Sequence, residues 1–320
     1  MKILITGVAG FIGFNLANEL LDKGYSVYGI DNIDSYYSTK YKKFRLKFLK
    51  RKKKFYFSKV DIGDKIKITK YFKKKNFDYI FHFAAQAGVR FSNTNPKKYI
   101  DTNLYGYLNL LDAITNKPKC LFYASSSSVY GEQKILPVFE HVKSSPINIY
   151  ATTKYLNEVI SDFYSRTFNI KIIGLRFFTV YGEWGRPDMF LFKLFKSLFN
   201  KDVFYLNNAG NHNRDFTYIK DAVAIIVNIM KKKHFVNNKH ECFNVCSNKP
   251  VNIKTIIKFV KKNYGSIRIK NIKRNKLDIK DTHGSNSLIK KYAGFKKFTS
   301  MESGIKNAIS WYRSNKIYKY

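Results

Sequence analysis

The chain has 320 residues, 45% of them hydrophobic, with 28 Phe and 24 Tyr; it can bury a full core as one large or two smaller domains, and disorder is excluded. Lys and Arg total 59 against 22 Asp and Glu, a formal net charge of +37, which raises a nucleic-acid or membrane-surface reading. The excess is nearly all lysine spread from end to end, with only ten arginines, and base-edge or bidentate phosphate readers favour arginine. A lysine-rich solvated surface, with no nucleic-acid partner, is the expectation. Cys120, Cys242 and Cys246 make no even disulfide set, and the six histidines show no metal-ligand spacing, so no metal is expected. Met1 leads into an apolar run broken by glycines, and no later run is long enough to span a bilayer, so the chain is expected in the cytoplasm.

In chain order, strand "KILIT", a glycine turn, helix "FIGFNLANELLDKG" and strand "SVYGID" form a βαβ unit. The densest positive run, "KYKKFRLKFLKRKKKF" (40–55), reads as solvated surface, with phosphate or anionic lipid as its alternative partners. Further strands are predicted at "FYFSKVDI", "YIFHFAA", "CLFYASSSS" and "IKIIGLRF", and helices over 65–75, 96–116, 148–168 and 219–232. This alternation predicts an α/β fold with a doubly wound parallel sheet over 1–178, to which 215–246 returns. From "FFTVYGEWGRPD" the pattern becomes irregular: a helix at "FLFKLFKSLF", then a mixed tail. Residues 179–320 are therefore expected to form a smaller, interleaved, mixed α/β domain capping the strand ends.

"TGVAGFIG" places Gly7, Gly10 and Gly13 between a strand and a helix, where close backbone approach and the helix N-terminus suit a pyrophosphate. Asp31, ending the second strand, would accept from both ribose hydroxyls and repel a 2′-phosphate, which favours NAD over NADP in a Rossmann-like domain. In "IYATTKYLNE", Tyr150 and Lys154 lie four apart on one helix face. Alone they fit an ordinary amphipathic pair or a phenol made acidic by an ammonium. In a lysine-biased chain, Arg90, Arg176, Arg186 and Arg214 are candidates for fork-shaped recognition of anions.

At TGxxGxxG with a later YxxxK, the chain resembles the extended short-chain dehydrogenase/reductase family. "VDI" (60–62), "HFAAQAGVR" (82–90), "DTNLYGYLNLL" (101–111), "ASSSSVYG" and "RDFTYIKD" extend the likeness. It is nearest the nucleotide-sugar 4-epimerases, and among them those acting on UDP-glucuronate. The resemblance implies NAD held by Gly7, Gly10, Phe11, Ile12, Gly13, Asp31, Asn32, Asp61, Ile62, Ala84, Asn103, Tyr150 and Lys154. It implies catalysis by Tyr150, Lys154 and Ser126: Lys154, with the nicotinamide charge, draws the Tyr150 pKa down, and Ser126 bonds the same sugar oxygen. A UDP-sugar would be met by Arg90, Ser126, Ser127, Ser128, Thr179, Arg186 and Arg214, the last on the diphosphate. Arg176 reads as a buried structural residue.

In sugar 4,6-dehydratases of this family the serine tract carries Asp and Glu; here Ser127 and Ser128 stand instead. UDP-glucuronate decarboxylases keep a Glu at the position of Ser128, and UDP-galactose 4-epimerases an Asn at that of Thr179. Small hydroxyls with Arg186 near suit a C6 carboxylate, so interconversion of UDP-glucuronate and UDP-galacturonate through a 4-keto intermediate is the expected reaction. Epimerisation of a neutral or N-acetylated UDP-hexose stands as the alternative, and a basic nucleic-acid or membrane-surface module on a nucleotide fold as the non-enzyme one. The late loop departs from the family: "NKLDI" (275–279) stands for Gln-Pro-Gly-Asp-Val and keeps only Asp278 and a final β-branched residue. The resemblance also implies a homodimer packed through the helices at 96–116 and 148–168.

Overall fold

The structure is a computed structural model that describes residues 1–320 except 74, 233–238, 276, 296 and 318–320. Twelve strands are found among the described residues: β1 Lys2–Thr6, β2 Ser26–Asp31, β3 Phe55–Lys59, β4 Tyr79–His82, β5 Cys120–Ser126, β6 Ile172–Phe177, β7 Thr179–Tyr181, β8 Phe204–Asn207, β9 Asn213–Tyr218, β10 His240–Val245, β11 Pro250–Asn252 and β12 Ile269–Ile272. Seven form one sheet in the order β10-β6-β5-β4-β1-β2-β3, and every pairing in it is parallel. The order reverses between β1 and β4, and a ligand crevice is expected outside the carboxyl ends of the strands there.

Both faces of the sheet are covered, so its central strands are largely apolar; all six residues of β6 are buried, Arg176 among them. The period of two divides the core: Ile3 and Ile5 of β1 pack on one side with the helix Phe11–Asp22, and Leu4 on the other with Ile68, Leu110 and Leu111. The first core runs on without a break into Phe192, Phe195, Ile256, Ile309 and Tyr312, so the later residues share it. Those residues carry two small sheets, β11-β9-β7 and β12-β8.

The basic run departs from the surface reading. Ser38 caps a helix over Thr39–Leu49, its side chain accepting from the Tyr41 amide, and Tyr41, Lys42, Arg45, Leu46 and Leu49 are buried along one face. These positions follow the helical period through a run whose lysines hide it. The segment predicted as one helix over 96–116 is Pro96–Tyr99, a π-helical turn Ile100–Tyr105 and Gly106–Ala113; the wide turn buries Asn103.

The long helix Ile149–Phe168 is anchored by a buried ion pair. Arg176 on β6 donates to both Glu158 oxygens, at 2.9 and 2.8 Å, and Ser125 donates to the same carboxylate. Arg176 is thus the structural residue expected. Both partners of the pair are buried, so Glu158→Ala leaves an uncompensated guanidinium. It should cost about 3–5 kcal/mol in denaturant unfolding, and Glu158→Ala with Arg176→Met should cost less than the single change.

Candidate active site

β1 delivers the chain to a turn that admits no side chain. Gly7 has φ +70°, and a Cβ there would stand 2.7 Å from the backbone of Phe83 and Ala84. A Cβ at Gly13 would meet the Gly7 carbonyl oxygen at 2.3 Å, so helix and turn pack backbone against backbone. Gly10 is the N-cap of the helix Phe11–Asp22 and no side chain caps it, which leaves the amides of Phe11, Ile12 and Gly13 for an anion such as a pyrophosphate. Asp31 is buried; its carboxylate accepts from the Ala9 amide at 3.0 Å and the Ile33 amide at 2.7 Å. Burial pushes this carboxyl up, while both amides and the charges of Lys42 and Arg45 pull it down. With up to four acceptor sites, the carboxylate can take a ribose hydroxyl beside the two amides. Asn32 donates to Asp61 at 2.8 Å, Ile62 is buried against Gly106, and the Ala84 amide donates to the Thr6 hydroxyl at 3.0 Å. The turn, the acid and these walls fit a dinucleotide.

Asn103 is committed to the protein. It accepts from the Gln86 amide at 2.8 Å, and it donates to the Gln86 carbonyl at 3.1 Å and to Thr153 Oγ1 at 3.0 Å. It ties the loop after β4 to the long helix beside Tyr150, so its bearing on a dinucleotide runs through those partners.

Asn148 starts the long helix by accepting from the Ala151 amide, which sets Tyr150 in its first turn. Ser126 ends β5 and caps the short 3₁₀ turn Ser127–Tyr130; its hydroxyl donates to Ser128 Oγ at 3.1 Å. Lys154 is 3% exposed and its ammonium donates to the Ala124 carbonyl at 2.8 Å. Desolvation draws Lys154 down to about 8. The Tyr150 phenol lies in the first turn of the same helix. In the protein alone its pKa is raised, because burial outweighs a hydrogen bond from Ser126 and the charge of Arg186, which both pull it down. The Lys154 ammonium is held by the Ala124 carbonyl of β5. His82, bonded to the Thr6 hydroxyl, feels the Lys154 charge and is held neutral by burial, with a pKa of about 3.

On the other side of the crevice, Ser126 pairs in register with Phe177, two residues before Thr179 opens β7. Ser127, Ser128 and Thr179 are all half-buried. Arg186 is not the free fork its sequence context suggests: its Nε donates to Asp188 at 3.0 Å, its Nη2 donates to the same carboxylate, and the Tyr36 hydroxyl donates there too. Arg214 donates to the carbonyls of Asn213, Ile279 and Lys280, so it clasps the late loop to β9. Arg90 forms an ion pair with Asp278 of that loop at 2.7 Å. Lys276 of "NKLDI" lies outside the described residues. Asp188, Tyr36, Lys42 and Glu158 are the residues missed by sequence reasoning. Glu158 carried a signal, being four residues beyond Lys154 on the same helix face; Tyr36 and Asp188, far apart in the chain, carried none.

Residues 4–308 match the GDP-mannose 4,6 dehydratase family, and the chain belongs to it, within the extended short-chain dehydrogenase/reductases. Protein CapI of Staphylococcus aureus is 37% identical and a probable UDP-glucuronate 4-epimerase of Rhizobium meliloti is 35% identical, each over 98% of this chain and 98% of its own. Among solved structures, the UDP-glucuronic acid 4-epimerase of Bacillus cereus in complex with UDP-glucuronic acid and NAD superposes with a TM-score of 0.92 at 29% identity. That likeness spans 98% of this chain and all of the other.

Burial of Lys154 predicts a pH signature. Its folded pKa lies below the unfolded value, so the penalty for keeping it charged is full below about pH 8 and fades as pH rises towards ~10.4. Lys154→Met should therefore be more stable than the parent near pH 7, and the gap in melting temperature should shrink between pH 8 and 10.

Proposed function

We propose that this chain is an NAD-dependent nucleotide-sugar 4-epimerase that interconverts UDP-glucuronate and UDP-galacturonate. The observation that supports the reading is Tyr150 beside Ser126 at the end of β5, with Lys154 one turn along the same helix and small hydroxyls at 127 and 128 where elimination would need acids. Residues 1–178, with the return through 215–246, hold the cofactor, and 179–320 the sugar nucleotide. Bound at the glycine turn, NAD supplies the hydride acceptor at C4 and a positive charge beside the phenol.

Tyr150 takes the proton from the C4 hydroxyl. Its pKa must fall to do so, and the pull of Ser126 and Arg186 already acts in that direction. Ser126 bonds the same sugar oxygen and steadies it through the 4-keto stage. Lys154, fixed on Ala124, holds the nicotinamide ribose. Return of hydride to the other face of the ketone inverts the centre, so the sugar turns about its diphosphate link between the two transfers.

The 4-keto uronate is a β-keto acid and loses carbon dioxide when the C5–carboxylate bond aligns with the ketone π-system. Hydroxyls of Ser127, Ser128 and Thr179 hold the carboxylate out of that alignment. Arg186 adds charge that Asp188 partly neutralises, which suits a group that must let go when the sugar turns. Arg90 and Arg214 place positive charge at the nucleotide end.

Free cysteines at Cys120, Cys242 and Cys246 fit a reducing cytoplasm, and among the described residues no helix is long and apolar enough to cross a membrane. A homodimer is supported by exposed apolar side chains on the paired helices: Tyr105, Tyr155, Val159, Phe163 and Phe168. Phe163→Glu should give a monomer by light scattering, and an unchanged mass would count against this face.

Incubation with UDP-glucuronate, resolving UDP-galacturonate from UDP-pentose, tests the function; turnover only of neutral or N-acetylated UDP-hexoses would overturn it. Tyr150→Phe should lower kcat about a thousand-fold with NAD binding intact. Thr179→Val or Arg186→Met should raise the share of decarboxylated product, and an unchanged ratio would remove them from carboxylate control.

A further inference from the structure

Arg45 lies inside the densest positive run, yet it is 0% exposed. Among the described residues no carboxylate stands within ion-pair distance of it. Its Nη1 donates to the Ala9 carbonyl at 2.9 Å and to the Tyr37 hydroxyl at 2.7 Å. Its Nη2 donates to the carbonyls of Trp184 and Gly185. Ala9 belongs to the glycine turn, and its amide is bonded to Asp31. Trp184 and Gly185 immediately precede Arg186. One guanidinium therefore joins the dinucleotide turn to the segment that carries the sugar-side arginine.

Trp184 has φ +61°, a left-handed backbone that a bulky residue keeps only where its surroundings over-determine it. Its ring packs on Phe14 of the first helix at 4.5 Å, on Phe44 at 5.1 Å and on Trp311 at 4.9 Å. Packing holds the ring and Arg45 holds the two carbonyls. The guanidinium lies 4.3 Å from the centre of the Tyr41 ring, which keeps its plane fixed. A planar fork can satisfy both sides at once only when turn and segment are in register, and a lysine lacks that geometry.

We propose that Arg45 is a positioning residue that couples occupation of the glycine turn by the dinucleotide to the placement of residues 184–188 and hence of Arg186. The coupling rests on the assignment of Arg186 to the sugar side made above. It acts through the Ala9 carbonyl: an anion that orders the turn orders the acceptor on which Arg45 is fixed, and the effect is reciprocal.

The test is amide hydrogen exchange over residues 183–189 in the full chain, with NAD removed and with NAD restored. In the parent, NAD should slow exchange there by roughly five-fold or more. Arg45→Met should lose that response, and Arg45→Lys, which keeps the charge but not the fork, should lose most of it. A merely structural role would raise exchange equally with and without NAD. Retention of the full NAD response in either variant, or its absence from the parent, overturns the coupling. Should Arg45→Met fail to fold, Arg45→Lys decides by the same criterion. The readout needs no sugar nucleotide, so failure of the parent to turn over UDP-glucuronate would sink the functional reading and leave this result legible.

Discussion

Lys154 donates its ammonium to a backbone carbonyl in a place from which water is nearly excluded, and the rest of the crevice is arranged around that buried charge. The charge is costly to hold there, which is why its own pKa falls. It is tolerated because the long helix is pinned from below: Glu158, one turn further along, meets Arg176 and Ser125 beneath the sheet end. The same helix carries Tyr150 and Thr153, and Asn103 crosses to Thr153 from the loop after β4. A one-turn slip would break every one of these bonds together. Tyr150 and Lys154 are thus held by groups whose bonds are to the protein itself.

The protein by itself raises the pKa of the Tyr150 phenol. Burial dominates, and the protein's own groups do no more than moderate it. This separates two functions that a YxxxK spacing runs together. The lysine is fixed on β5, and under the proposed function the acidity of the tyrosine depends on charge that a bound dinucleotide would bring.

Charge in this protein is of two kinds. Most of the +37 is lysine on the outside, where water screens it. A few arginines are withdrawn and put to geometric use: Arg176 on Glu158, Arg186 on Asp188, Arg214 on the late loop and Arg45 across the two halves. Arginine scarcity was a pointer to three of these. Arg45 escaped it because eight lysines crowd residues 40–55 and mask the burial of Tyr41, Arg45 and Leu49 at helical spacing.

The amino-acid sequence by itself determined the βαβ start, the glycine turn, Asp31 at the end of the second strand, the parallel run of the first six strands and the placing of Tyr150 and Lys154 four apart on one helix. Each of these is written in contiguous residues, through periodicity, glycine placement or spacing on one helix. Tertiary structure alone decided what lies opposite them. That Tyr36 reaches the Arg186–Asp188 pair, that Arg214 closes on carbonyls of the late loop and that Arg45 bridges Ala9 to Trp184 are long-range pairings. Local pattern does not encode them, because the partners are brought together only when a shared core folds the later residues back over the strand ends.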